Sequence, residues 1–170
     1  MNKAAFDALY RDHYQRVYGL CRRMLGQAAD AEDATQEVFM RGYRSIGRSR
    51  PRDPFGPWIG AIASNYCVDV IRGRKRAAEI FEAEPADAPD PKDNGIGPLI
   101  HAEDADAVNR AVEALPDQYR LPIVLAYYSD ASYDEIAETL GITRNHVGVL
   151  LLRGKKMLRG QLYSPSSEEN

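Results

Sequence analysis

The chain has few of the residues that build secreted scaffolds or active sites: its 170 residues include two cysteines, one tryptophan and three histidines. Cys21 and Cys67 both sit among apolar residues at helical spacing, which reads as two small buried hydrophobes and gives no sign of a secreted disulfide framework. His13, His101 and His146 fall in three separate segments with no nucleophile or second metal ligand nearby, so an enzyme would lack candidates for its roles and no metal or other cofactor is expected. No apolar run approaches a membrane span, and the opening MNKAAFDALYRDHY lacks the apolar core of a signal peptide, which predicts a cytosolic protein.

Hydrophobic residues make up 44% of the chain and charged residues 28%, enough for real cores in one domain or two small ones. A formal charge of −3 does not by itself point to nucleic acid, but its distribution does. From Arg41 to Arg76 there are nine Lys/Arg against two Asp/Glu, and Thr143–Gly160 has five Lys/Arg and no acid. Glu79–Asp106 has nine acids and one lysine. Such segregation fits two separate surfaces that touch a polyanion.

The basic block centres on Pro54–Arg76, PFGPWIGAIASNYCVDVIRGRKR. Trp58, Ile62, Tyr66 and Val70, with Ile59, Ala63, Cys67 and Ile71 filling in, predict a buried helix face, and Pro57 marks the start. The opposite flank carries Ser64, Asn65, Asp69 and Arg72, and the helix runs out into Arg74, Lys75 and Arg76. A helix dipole needs one or two cations at its end, not the upstream Arg41, Arg44, Arg48, Arg50 and Arg52 as well. Cations around aromatic and amide side chains suit exposed bases, so single-stranded nucleic acid is the expected ligand of this half.

Upstream, Phe6, Leu9, Tyr10, Tyr14, Val17, Tyr18, Cys21, Met24 and Leu25 form a stripe ending at Gly26, which predicts a helix of about six turns. Asp30 then starts a second helix, DAEDATQEVFMRGYRSI, with Ala34, Val38, Phe39 and Tyr43 on its apolar side. Asp33, Gln36 and Glu37 share its polar face, which taken alone is an ordinary solvated face. Gly47–Gly56 reads as a loop. Residues 77–104 turn to Ala, Pro, Asp and Glu without periodicity and are expected to form a flexible acidic linker. Whether that linker lies in its neighbours' basic grooves or stays clear is left open by its charge.

Beyond the linker, Val108, Ala111, Val112 and Leu115 mark a short helix stopped by Pro116, and Gln118–Tyr128 a second one that Pro122 is expected to kink or delay. Ser132-Tyr-Asp-Glu135 fits a capping box, Ile136, Ala137 and Leu140 form a buried stripe, Gly141 turns, Ile142 plugs the corner and Thr143 caps the next helix. Two helices joined by a short glycine turn, the second longer and basic, read as a helix-turn-helix. Val147, Leu150, Leu151, Met157 and Leu158 are expected to pack inward. Arg144, Asn145 and His146 lie where base edges are read, and Arg153, Lys155, Lys156 and Arg159 where phosphates are met.

Three of these segments carry a resemblance. The chain, over about residues 5–162, resembles the extracytoplasmic-function (ECF) group of bacterial RNA polymerase sigma factors. DAEDATQEVFMRGY at Asp30–Tyr43 resembles their core-polymerase-binding helix. WIGAIASNYCVDVIRGRKR at Trp58–Arg76 resembles the helix that reads and melts the −10 element, and SYDEIAETLGI at Ser132–Ile142 the first half of the −35 reader. The resemblance implies that Asp33, Gln36 and Glu37 bind the polymerase clamp. It assigns Arg48, Ser49, Arg50, Phe55, Trp58, Asn65, Arg72, Arg74, Lys75 and Arg76 to the −10 strand, with the Gly47–Gly56 loop forming part of a flipped-base pocket. It assigns Thr143, Arg144, Asn145, His146, Arg153, Lys155 and Lys156 to the −35 duplex. Ser49 departs from a position often aromatic in the family, and Gly148, Val149 and Leu150 stand where many relatives are basic or hydroxylic.

The expected architecture is all-α: a three-helix domain at 1–76, the linker at 77–104, a four-helix domain with the helix-turn-helix at 105–163 and a disordered tail at 164–170. The implied partners are core RNA polymerase, promoter DNA and an anti-sigma protein, in a bacterial cytoplasm at the nucleoid, with no small-molecule substrate and no membrane insertion. Neither chain end looks able to restrain activity, so no internal restraint is expected. The competing reading is a helix-turn-helix regulator that does not join polymerase.

Overall fold

An asparagine starts the first helix and a glycine ends it. Asn2 Oδ1 accepts the Ala5 N–H at 2.8 Å, opening α1 (Lys3–Leu25), and Gly26 takes the left-handed conformation at φ +87° while its N–H closes on the Arg22 carbonyl. The computed structural model describes residues 2–46, 54–85 and 105–163, and these contain helices and no strand. They divide into two compact units, Met1–Ala77 with Tyr128–Asp130, and Ala78–Tyr127 with Ala131–Asn170.

In the first unit, α2 (Ala28–Ile46) begins two residues before Asp30, and α3 (Phe55–Arg74) two residues before Pro57. Pro57 thus sits in the first turn, where a missing N–H costs nothing. Most of the expected Gly47–Gly56 loop lies outside the described residues.

The core is built from one face of each helix: Val17, Leu20, Cys21 and Met24 from α1, Ala31, Ala34, Val38 and Phe39 from α2, and Ile59, Ala63, Cys67, Val68 and Ile71 from α3. Phe6 joins the helices at one end, edge-on to Phe39 (6.4 Å between centroids), Tyr43 (4.9 Å) and Phe55 (6.3 Å). Edge-to-face pairs of this kind add about 0.5–1.5 kcal/mol each beyond their buried area. Gly42 sets how closely α2 and α3 approach, since a Cβ there would stand 2.7 Å from Ile59 Cδ1.

The buried row of α3 differs from the expected one. Ile59, Ala63, Cys67 and Ile71 are buried, whereas Trp58, Ile62, Tyr66 and Val70 are only partly so, and Ser64 is buried rather than exposed, its hydroxyl donating to the Gly60 carbonyl at 3.0 Å. Small Ala63 and Cys67 let the helices close, which the larger Trp58 and Tyr66 would prevent. Cys21 and Cys67 are sealed in this core, and the hydrogen bond to Cys21 together with burial pushes the Cys67 thiol up, so it stays protonated.

The second unit holds α4 (Ala77–Ile80) at its edge, α5 (Ala105–Ala114), α6 (Asp117–Tyr128), α7 (Tyr133–Leu140) and α8 (Arg144–Tyr163). α4 lies inside the stretch expected to be linker, and the rest of that stretch, residues 86–104, is outside the described residues, as is the tail 164–170. Pro122 does not delay α6, which starts five residues earlier at Asp117 and buries Leu121 through Leu125. Arg120 secures that start, bonding Asp117 at 2.5 Å and the Leu115 carbonyl at 3.0 Å.

The helix-turn-helix follows its caps. Ser132 Oγ accepts the Glu135 N–H at 3.1 Å and donates to the Glu135 carboxylate at 3.2 Å. Gly141, at φ +69°, and Ile142 both send their N–H groups to the Ala137 carbonyl, which turns the chain into α8. Val147, Leu150, Leu151 and Leu158 of α8 pack inward with Val149, but Met157 is exposed. Gly154 seats α8 against α6, since a Cβ there would lie 3.1 Å from Ile123 Cγ1.

Two substitutions test this construction. Ser132→Ala should cost the second unit about 1 kcal/mol by orphaning the first N–H groups of α7. Leu151→Ala should cost about 2–5 kcal/mol through the cavity it leaves. Urea denaturation followed by circular dichroism measures both.

Candidate nucleic-acid interface

Packing three helix faces inward leaves a defined outer surface on the first unit. Along α2 the exposed side runs through Glu32, Asp33, Gln36, Met40, Tyr43 and Arg44, with Glu37 partly buried beside it. Glu37 holds Arg41 at 3.0 Å, and the Arg41 guanidinium stands 4.7 Å over the Tyr66 ring of α3. Gln36, Met40, Tyr43 and Arg44 also border a groove of about 580 Å³ floored by Phe6, Tyr10 and Phe39. Met40 and Tyr43 are each about half exposed, at 49% and 50%.

On α3, Trp58, Ile62, Asn65, Asp69 and Arg72 follow one another at helical spacing, so a single stripe carries an indole, an amide and a guanidinium. Asn65 is exposed and Trp58 partly buried. Phe55 is held by His13 at 5.0 Å, Trp58 at 5.6 Å and Phe6, which fixes its ring at the mouth of the helix. Arg72, Arg74, Lys75 and Arg76 are exposed at the far end, with Arg74 paired to Asp30 of α2 at 3.1 Å. Arg48, Ser49 and Arg50 lie outside the described residues.

In the second unit the basic residues separate into two groups. Arg144, Arg153, Lys156 and Arg159 are exposed on α8, as are Asn145 and the capping Thr143. Arg144 is aligned by Asp134 at 2.9 Å and lies over the Tyr133 ring. Two expected contacts are placed otherwise. Lys155 is 5% exposed, because the α8 face carrying Leu151, Gly154 and Leu158 turns it inward. His146 is 6% exposed, with its ring edge-on to Phe81 at 6.2 Å. Among the described residues no group of three or more His, Cys, Asp or Glu could hold a metal ion, and no helix is long and apolar enough to cross a membrane.

Comparison with known proteins gives these surfaces a context. Residues 9–77 match the family described as Sigma-70 region 2, and residues 105–158 match Sigma-70, region 4. The ECF RNA polymerase sigma factor SigW of Bacillus subtilis is 34% identical over 166 residues, a match that covers 91% of this chain and 85% of SigW. The chain belongs to the ECF sigma factors. The ECF RNA polymerase sigma factor SigE of Mycolicibacterium smegmatis is 35% identical over 173 residues, covering 96% of this chain and 64% of SigE. A solved complex of the sigma factor RpoE with the anti-sigma factor NepR from Bartonella quintana has the same fold, with a TM-score of 0.62 at 18% identity over 93% of this chain and 96% of that one. A lone helix-turn-helix regulator does not account for the region 2 match.

Within this sigma factor, sequence reasoning passed over Met40 and Tyr66. Met40 is four residues from Gln36, so helical spacing alone puts it on the same exposed stripe. Tyr66 was read as core and instead presents its ring to Arg41. The exposure of Arg153 and Lys156 predicts that Arg153→Ala or Lys156→Ala weakens duplex binding alike on different sequences. Each should lower the slope of log K against log salt by about 0.9, read from titrations at several salt concentrations.

Proposed function

We propose that this chain is a promoter-specificity subunit that joins core RNA polymerase through Asp33, Gln36 and Glu37 of α2, opens the −10 element on α3 and reads the −35 duplex with α8. It works in the cytoplasm at the nucleoid and performs no bond chemistry itself. The observation that carries this reading is the sorting of exposed charge, acidic along the start of α2 and basic at the end of α3 and along α8, in a chain matched to region 2 and region 4 in that order.

The physical sequence follows from the surfaces. Extruding a base from a duplex costs a few kcal/mol, and stacking on a ring returns about 1–3 kcal/mol per base, so the rings of Phe55 and Trp58 with the Asn65 amide decide where strands separate. Arg72, Lys75 and Arg76 then bind phosphates of the opened strand, and Arg48, Ser49 and Arg50 belong to the same proposal. On α8, Arg144 and Asn145 address base edges while Arg153 and Lys156 take phosphates. An anti-sigma protein that covers these surfaces is part of the proposal, supported by the fold shared with RpoE, which was solved with NepR.

In vitro transcription with core enzyme on a genomic library tests the whole reading. Asp33→Lys with Glu37→Lys should abolish co-elution with core enzyme and transcription while free-DNA binding persists. Unchanged transcription would remove α2 from the interface. Asn65→Ala should slow strand opening, followed by permanganate footprinting, more than it weakens duplex binding. Equal losses in both would assign it another role.

A further inference from the structure

The segment just after α4 lies on the reading end of α8. Ile80 is buried, the Phe81 ring meets His146 edge-on at 6.2 Å, the Glu82 N–H donates to Gln118 Oε1 at 3.3 Å, and Glu84 Oε1 accepts the Thr143 hydroxyl at 2.7 Å. Thr143 Oγ1 also accepts the His146 N–H at 3.1 Å as the cap of α8, so its proton goes to Glu84 and a lone pair to its own helix. A carboxylate bonded to the cap hydroxyl at the N-terminus of a basic helix uses the same chemistry by which such a place takes a phosphate oxygen. Phe81 meanwhile covers His146, a residue whose position in the first turn of a recognition helix is one that reaches base edges.

We propose that Ile80–Glu84 is a built-in competitor of duplex DNA that keeps the N-terminal turn of α8 closed until it is displaced. The inference rests on α8 being the −35 reader. The open question of where the acidic linker lies is answered for this part of it: Glu84 sits on the second unit's basic helix. Ile80 anchors the segment, and beyond it the described contact is one ring pair and two hydrogen bonds on a surface where Thr143 and Glu84 are themselves exposed, so Phe81–Glu84 can open without unfolding the helices behind it.

The test uses the full chain and a short random-sequence DNA duplex, with binding measured by fluorescence anisotropy. Phe81→Ala with Glu84→Ala should tighten binding by about tenfold, the factor expected when a competent state populated roughly one-tenth of the time becomes dominant. Phe81→Ala alone changes no charge and should also tighten binding, whereas mere damage to the fold would weaken it. Asp106→Asn, which removes an acid from α5, should leave affinity unchanged. Saturating duplex should accelerate hydrogen exchange at the Glu82 amide. If both Phe81→Ala and Glu84→Ala bind as the parent does, or the Glu82 amide keeps its protection with DNA bound, the competitor role is wrong. In that case loss of binding in Arg153→Glu with Lys156→Glu would leave the DNA-reading role of α8 standing. Absence of duplex binding by every variant would overturn that role and the competitor with it.

Discussion

The first unit depends on how closely α3 can settle against α2. Gly42 leaves room for Ile59, and Ala63 and Cys67 present little bulk on the facing row, so the two helices close over a dry core. Everything exposed follows from that seat. With the small row turned inward, Trp58, Ile62 and Tyr66 are left at the rim and Asn65 in solvent, while α2 keeps its acids on the outside. A core packed at crystal-like density does not slide, so the acidic stripe and the basic helix end are held in one fixed relation. Under the proposed function, in which α2 docks on polymerase and α3 holds the opened strand, that fixed relation links docking to melting.

The second unit reaches rigidity through its caps. Ser132, Gly141 and Thr143 satisfy helix-end N–H and carbonyl groups within a few residues of one another, which fixes how α8 leaves the turn. Gly154 then allows α8 to lie close on α6. The basic face is consequently a property of the helix register: Arg153 and Lys156 face outward because Leu150, Leu151 and Leu158 face in.

Local signals were the most legible part of the sequence. Ser132 with Glu135, the Gly26 and Gly141 stops and the Thr143 cap each depend on a few neighbours, and each forms as its residue types dictate. The buried face of α3 was harder to read because two adjacent rows, Trp58-Ile62-Tyr66-Val70 and Ile59-Ala63-Cys67-Ile71, are equally apolar at the same spacing. The choice between them is made by the partner helix, through the small residues that permit close approach, and hydropathy does not carry that information. Lys155 and Met157 were misplaced for a related reason: side-chain chemistry pointed one way and the register of α8, set by Leu151, Gly154 and Leu158, pointed the other. The covering of His146 by Phe81 was out of reach, since it comes from a short stretch without periodicity, many residues away in sequence. Among the site residues, the polar stripe of α2 and the arginines at the end of α3 could be placed from spacing and charge, whereas their pairings, Glu37 with Arg41 and Arg74 with Asp30, needed three dimensions.

The chain's only two thiols are both closed inside the first unit, and the Cys67 thiol is held in its protonated form there. Thiolates are the species that peroxides and electrophiles attack, and they attack those that solvent can reach. Burial therefore shields both thiols from such reagents, and the sulfur that solvent reaches among the described residues is thioether sulfur, at Met40 and Met157.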